Sequence, residues 1–216
     1  MNDNQIQKFN LFYKLLIETN NKFNLTRITE FSDVWDKHFL DCIEIAKYTP
    51  KNARIIDVGT GAGFPAIPLA IMRDDVRITA IDATLKRVNF VNDVAKELDL
   101  NNLTCIHARA EELGHNSDFR EKYDIATSRA VADLRILAEY CLPFVKIGGV
   151  MLAMKGLNID EELENAKEII AKLGGKEAKK EIYSIAEFTH SIIIIKKELE
   201  TPLDFPRKIK KLTKRI

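Results

Sequence analysis

Arg54-Ile-Ile-Asp-Val-Gly-Thr-Gly-Ala-Gly-Phe-Pro65 decides the architecture of this chain. Ile55, Ile56 and Val58 read as a buried strand, and Gly59, Gly61 and Gly63 follow at a spacing of two. Pro65-Ala-Ile-Pro-Leu-Ala-Ile-Met72 then reads as a short helix with proline at its first position. Strand, glycine turn and helix form the unit with which α/β proteins bind nucleotide-like ligands. Glycine permits the tight turn and lets a ligand approach the backbone off the carboxyl end of the strand.

Downstream, strands and helices alternate. Strands are expected over residues 54–58, 77–82, 103–107, 123–127 and 148–155, with a last pair over 181–185 and 191–197. Helices are expected over 65–72, 85–98, 132–141 and 160–173. Alternating units of this kind predict a doubly wound, mostly parallel, Rossmann-like α/β sheet. Upstream, Ile6, Phe9, Phe12, Tyr13, Leu16 and Ile17 fall on one face of a helix over 3–20. Ser32 or Asp33 is placed to cap a second helix, with Val34, Phe39 and Ile43 inward and Asp36, Lys37 and Asp41 outward. Trp35 reads as packing and His38 as surface or a satisfied neighbour. The expected organisation is a helical cap over 1–50, a ligand-binding domain over 51–200 and a basic tail over 201–216, forming one unit.

Composition narrows the function classes. At 216 residues, 46% apolar and 30% charged, the chain can bury a sizeable core. Its last ten residues carry six Lys and Arg and no acid; removing that +6 from the net +1 leaves −5 on residues 1–206. A basic end on a near-neutral body fits a polyanion partner, or a solvated tail. Cys42, Cys105 and Cys141 are scattered, and neither they nor the four histidines show ligand spacing. That argues against a disulfide framework or a metal centre and fits a reducing, cytoplasmic setting. The start of the chain lacks an apolar leader, and no run is long enough to cross a bilayer.

The glycine turn also discriminates between ligands. A dinucleotide fingerprint needs a small residue at its sixth position, and here that position is Phe64. The pattern is instead D-x-G-x-G-x-G from Asp57 to Gly63, which favours S-adenosylmethionine, a ligand without a pyrophosphate. Asp82, at the end of the second strand, is placed to accept from a ribose diol. Ala110 and Glu111 follow the third strand, where a nucleoside base would pass. Arg129, after the fourth strand, is the charged side chain at the lip where a second substrate would enter. Neither an N/D-P-P-Y motif nor a Pro-Cys nucleophile pair is present.

Asp57–Pro65 with Ile67-Pro-Leu-Ala70, Arg109-Ala-Glu111, Ser128-Arg-Ala-Val-Ala132 and Phe205-Pro-Arg-Lys208 resembles the RsmG (GidB) family, as do Asn24-Leu-Thr26 and His38-Phe-Leu-Asp41. The resemblance runs from about residue 20 to 208. It implies a class I S-adenosylmethionine-dependent methyltransferase acting on N7 of one guanine in the decoding-region loop of 16S ribosomal RNA, met within the small ribosomal subunit, with no membrane and no obligate protein partner. It implies cofactor contacts at Gly59, Phe64, Asp82, Ala83, Thr84, Ala110, Glu111 and Arg129. RNA phosphates are then expected to meet Arg27, Arg207, Lys208, Lys210 and Lys211. An RNA-binding assembly factor without activity and a small-molecule methyltransferase are the alternatives. Two departures stand out: Ala66 where the family has glycine, and a tail that continues Ile-Lys-Lys-Leu-Thr-Lys-Arg-Ile216 without the family's glycine and prolines.

Overall fold

The computed structural model describes residues 1–129 and 132–208. The strands are β1 (Arg54–Val58), β2 (Arg77–Asp82), β3 (Leu103–His107), β4 (Tyr123–Arg129), β5 (Val145–Lys155), β6 (Lys179–Ile185) and β7 (Phe188–Lys196). They form one sheet in the order β3-β2-β1-β4-β5-β7-β6. The pairings β2–β3, β1–β2, β1–β4 and β4–β5 are parallel; β7 runs antiparallel to both β5 and β6. The doubly wound, mostly parallel sheet expected from the alternation is therefore present. Strand order reverses between β1 and β4, so their carboxyl ends frame the crevice where such sheets bind ligands.

Helices cover both faces. α1 (Asp3–Asn20) begins with a capping box: Asn2 Oδ1 accepts from the Gln5 amide and Gln5 Oε1 from the Asn2 amide, both at 2.9 Å. Its buried face is Phe9, Phe12 and Leu16, while Ile6 stays exposed. Residues 31–48 are helical throughout, as α2 (Phe31–Val34), a π-helical turn (Trp35–Leu40), α3 (Asp41–Ile43) and a 3-10 turn (Glu44–Tyr48). Glu30, not Ser32 or Asp33, takes the N-cap position. These segments share one core with α4 (Ala66–Met72) and α5 (Leu85–Glu97) on one face of the sheet. The other face is covered by α6 (Ala110–Leu113), α7 (Leu134–Cys141) and α8 (Asp160–Lys172). Pro65 caps α4 from outside rather than opening it. Ala66, at the position where glycine was expected, is buried in that helix with its methyl in the core.

Asp41 departs from the expected outward face: it is 4% exposed. The π-helical turn just before it inserts a residue into the 3.6-residue period, so α-helical spacing misassigns the faces beyond it. His38 on the same turn is buried, and Trp35 packs edge-on against Phe9 and Phe39.

The tail is docked as far as Arg207. Phe205 is buried, Arg120 donates to the carbonyls of Thr201, Pro202 and Phe205, and His115 Nε2 lies 2.8 Å from the Pro206 carbonyl. Arg207 donates from Nε and Nη2 to the carboxylate of Glu139 at 2.8–3.1 Å, and its amide adds a further bond at 2.6 Å. Glu139 is wholly buried. Arg207, expected to meet RNA phosphate, is thus an anchor of the tail, because a buried carboxylate demands a cation beside it. Lys210 and Lys211 lie outside the described residues.

Candidate active site

The turn after β1 is built by backbone geometry. Gly59, Gly61 and Gly63 all have positive φ, at 74°, 60° and 89°. The amides of Gly59 and Thr60 donate to the Ile81 carbonyl of β2, and those of Gly63 and Phe64 donate to the Thr60 carbonyl. A Cβ on Gly63 would sit 2.3 Å from Ile67 Cδ1, so side-chain-free backbone is what lets α4 close on the turn. A Cβ on Gly61 would meet nothing within 4 Å: that residue faces open space.

The open space is a cavity of about 810 Å³, at the upper end of the roughly 300–1,000 Å³ usual for small-molecule sites. Gly59, Thr60, Gly61 and Phe64 form one wall and Asp82, Ala83 and Thr84 the floor beside it. Thr26, Lys37, His38 and Asp41 close the side nearest the N-terminal helices. Lys155 and Gly156 at the end of β5, with Tyr183, Phe188 and His190 of the β6–β7 hairpin, also line the cavity. Of the eight expected cofactor contacts, Gly59, Phe64, Asp82, Ala83, Thr84 and Arg129 line this cavity. Ala110 and Glu111 do not: both are buried at the start of α6, with Glu111 3.7 Å from Arg109.

Asp82 is held by the turn it serves. Its Oδ2 accepts from the Gly61 amide at 3.0 Å and its Oδ1 from the Thr84 amide at 2.8 Å. Both oxygens keep a lone pair for a ligand hydroxyl. Asp57, beneath the turn, is the opposite case. It is fully buried and neither oxygen completes a hydrogen bond among the described residues. The Thr60 hydroxyl and Ala66 amide favour its ionised form, but burial outweighs them and pushes its pKa up to about 7.

Arg129 is fixed from several sides. Nη1 donates to the Lys37 carbonyl at 3.1 Å and to Asp41 Oδ2 at 3.2 Å, and the guanidinium lies 4.9 Å from the Phe64 ring centre. Nη2 is 3.1 Å from His38 Nδ1. That Nδ1 also lies 3.0 Å from the Lys37 carbonyl, and Nε2 lies 3.0 Å from Thr26 Oγ1. Burial, then the charge of Arg129, lowers the His38 pKa to about 4, so the ring is neutral at neutral pH. Asp41 Oδ1 accepts from Tyr183 Oη at 2.6 Å and from His190 Nδ1 at 2.7 Å. Burial and then Asp41 push the Tyr183 phenol far up, so it remains a donor.

Asp41, Tyr183 and His190 were not among the residues expected from sequence. His38-Phe-Leu-Asp41 and Asn24-Leu-Thr26 carry part of the resemblance, and that was the signal available. Nothing local marks Tyr183 or His190, whose strand pattern is that of any edge hairpin.

The chain was compared with known proteins. The family model described as GidB, rRNA small subunit methyltransferase G, matches residues 5–189. The chain belongs to this family. A relative named ribosomal RNA small subunit methyltransferase G, from Clostridium perfringens (strain 13 / Type A), is 46% identical, covering 99% of this chain and 91% of its own length. A protein of the same name from Alkaliphilus metalliredigens is 45% identical over 96% of this chain and 89% of its own length. Among solved structures, precorrin-6y C5,15-methyltransferase from Geobacter metallireducens superposes with a TM-score of 0.56 at 18% identity, covering 82% of this chain and 95% of its own. A SAM-dependent methyltransferase from Aquifex aeolicus gives a TM-score of 0.56 at 14% identity, covering 83% and 97%. At that identity the structural likeness speaks for the fold alone.

Proposed function

We propose that this chain transfers a methyl group from S-adenosylmethionine to N7 of one guanine in the 16S ribosomal RNA of the small subunit, in the cytoplasm. The observation that carries the reading is a side-chain-free glycine turn and the Asp82 carboxylate opening into the same cavity as Arg129. The donor set fits the cofactor: bare backbone at Gly61, lone pairs on Asp82 for a ribose diol, and an unpartnered carboxylate at Asp57 that favours a ligand bearing positive charge. Bound there, S-adenosylmethionine would supply an electrophilic methyl group for the guanine N7 lone pair, with its sulfur keeping the electron pair of the broken C–S bond.

Gly59, Phe64, Asp82, Ala83, Thr84 and Arg129 are assigned to hold the cofactor, with Ala110 and Glu111 flanking the base side after β3. Guanine N7 has a free lone pair at neutral pH, so catalysis is mainly alignment, and no side chain has to remove a proton first. The burial of Cys42, Cys105 and Cys141, with all three thiol pKa values pushed up, supports this division of labour. Arg129 is turned toward Asp41, His38 and the Lys37 carbonyl, which supports a role in shaping the cofactor pocket rather than meeting a base that becomes cationic. Arg27, at the rim, and Lys208 are exposed and are assigned to RNA phosphates. The testing experiment is transfer from labelled S-adenosylmethionine to small subunits lacking the modification, with the labelled base identified. Label on guanine N7 at one site is expected; label elsewhere, or none, refutes the reading.

A further inference from the structure

His190 is a part of the cavity that the cofactor assignment leaves unused. It lies on β7 across from Tyr183 on β6, and both side chains reach the same Asp41 oxygen. The carboxylate of Asp41 takes donors from Tyr183, Arg129 and His190. Nδ1 of His190 must therefore carry a proton, and in the neutral ring Nε2 is left as an acceptor. Nε2 has no hydrogen-bond partner among the described residues, and the side chain, 31% exposed, lines the same cavity as the glycine turn and Asp82. The two ring nitrogens of an imidazole point apart, so the nitrogen clamped on Asp41 directs the other away from it, along the ring's open edge.

We propose that Nε2 of His190 accepts a hydrogen bond from N1–H of the target guanine and so selects guanine over adenine and favours the transfer step. This rests on the guanine-N7 reading above. Guanine presents a donor at N1, whereas adenine presents a lone pair there, which an acceptor fixed by Asp41 repels. The same bond changes strength during the reaction. As N7 takes the methyl, the purine becomes a cation and its N1–H becomes more acidic, and a hydrogen bond from a charged donor is stronger than one from a neutral donor. An interaction that strengthens on the way to the transition state raises kcat rather than tightening ground-state binding. No proton is transferred: N1–H stays on the base. Asp41 acts through His190 as a positioning residue, holding the tautomer.

The test uses small subunits assembled with guanine or 1-methylguanine at the modified position, with the native protein, His190→Ala and His190→Gln. Native protein is expected to prefer guanine about 100-fold in kcat/KM, the order that loss of one hydrogen bond from a charged donor gives. His190→Ala is expected to slow transfer to guanine about 30- to 100-fold, mainly in kcat, while its rate on 1-methylguanine stays within about threefold of native. Affinity of each variant for subunits without cofactor is expected to stay within about threefold of native, since the gain arises in the transition state. His190→Gln, whose side-chain carbonyl accepts, restores a large part of the guanine rate. Equal slowing on both bases would make His190 a packing residue and overturn the proposal. Native protein that treats the two bases alike overturns it without any variant. Native protein that methylates an atom other than guanine N7 overturns the underlying reading, and this one with it; N7 transfer with selectivity undiminished in His190→Ala overturns this one alone.

Discussion

Asp57→Asn is expected to stabilise the cofactor-free protein, and to do so increasingly as pH rises. The carboxyl is fully buried without a completed hydrogen bond, and its pKa rises from 3.8 to about 7 on folding. The folded state therefore holds a proton that the unfolded chain has released. Stability from this group is fully present below pH 3.8, falls as pH rises through the window, and levels off above about 7. The shift of 7 − 3.8, about 3.2 units at 1.36 kcal/mol each, makes the full cost of ionisation about 4 kcal/mol. At pH 5 the unfolded carboxyl is already ionised and the folded one is not, a cost of about 2 kcal/mol; at pH 8.5 nearly all of the full cost applies. The asparagine amide is of similar shape and never ionises. Urea unfolding of the two proteins at pH 5 and 8.5 is then expected to show the gap in favour of the variant widening by about 2–3 kcal/mol. Parallel pH profiles, with the gap constant to within about 0.5 kcal/mol, would show that Asp57 does not titrate with folding and refute the reasoning. The proposed cofactor role adds a second readout: S-adenosylmethionine affinity rises with pH over the same window in the native protein and is flat in Asp57→Asn.

Arg207→Ala is expected to cost about 3–5 kcal/mol in urea unfolding, because it strands the buried Glu139 carboxylate; adding Glu139→Gln recovers most of that, and a loss under about 1 kcal/mol would mean the pair is not formed. Deleting residues 208–216 spares that pair, and is expected to weaken binding to RNA and flatten its salt dependence while leaving S-adenosylmethionine affinity unchanged by calorimetry; equal loss of both would make the tail structural. Arg129→Ala is expected to lower S-adenosylmethionine affinity about 10- to 100-fold through loss of charge-assisted bonds around the pocket, and unchanged affinity and transfer would overturn its assignment. His38 has a depressed pKa, so its stabilising contribution is present above the unfolded value of 6.5 and is lost as pH falls through about 4. Its imidazole proton resonances are expected to stay at their neutral positions down to about pH 5, and a midpoint above pH 6 would contradict the buried contact with Arg129.

Local pattern carried most of the sheet. β1, β2 and β3 occupy the residues expected of them, because each is an apolar run bounded by turn residues. β4 and β5 extend beyond expectation: Ser128 and Arg129 continue β4 through polar residues, tied by Ser128 Oγ donating to the Val58 carbonyl at 2.7 Å, and Val145–Ile147 prolong β5 at its start. The glycine turn and Asp82 were legible since their spacing is itself the geometry. Asp41 was not: a helical wheel assumes an unbroken period, and the π-helical turn breaks it. Nor was Arg207 readable as an anchor, because its partner Glu139 sits 68 residues away on α7, and a cation at the end of a chain looks alike whether it faces solvent or a buried acid. Pairings that long leave no trace in periodicity.

The Asp41 carboxylate joins residues 88, 142 and 149 positions further along the chain. During synthesis the helix bearing it is among the first segments made, yet its partners on β4, β6 and β7 are added much later. Until residue 190 is available, that acid lacks its full set of partners, and one side of the cavity is incomplete. The ability to hold a ligand is consequently one of the last properties the growing polypeptide acquires.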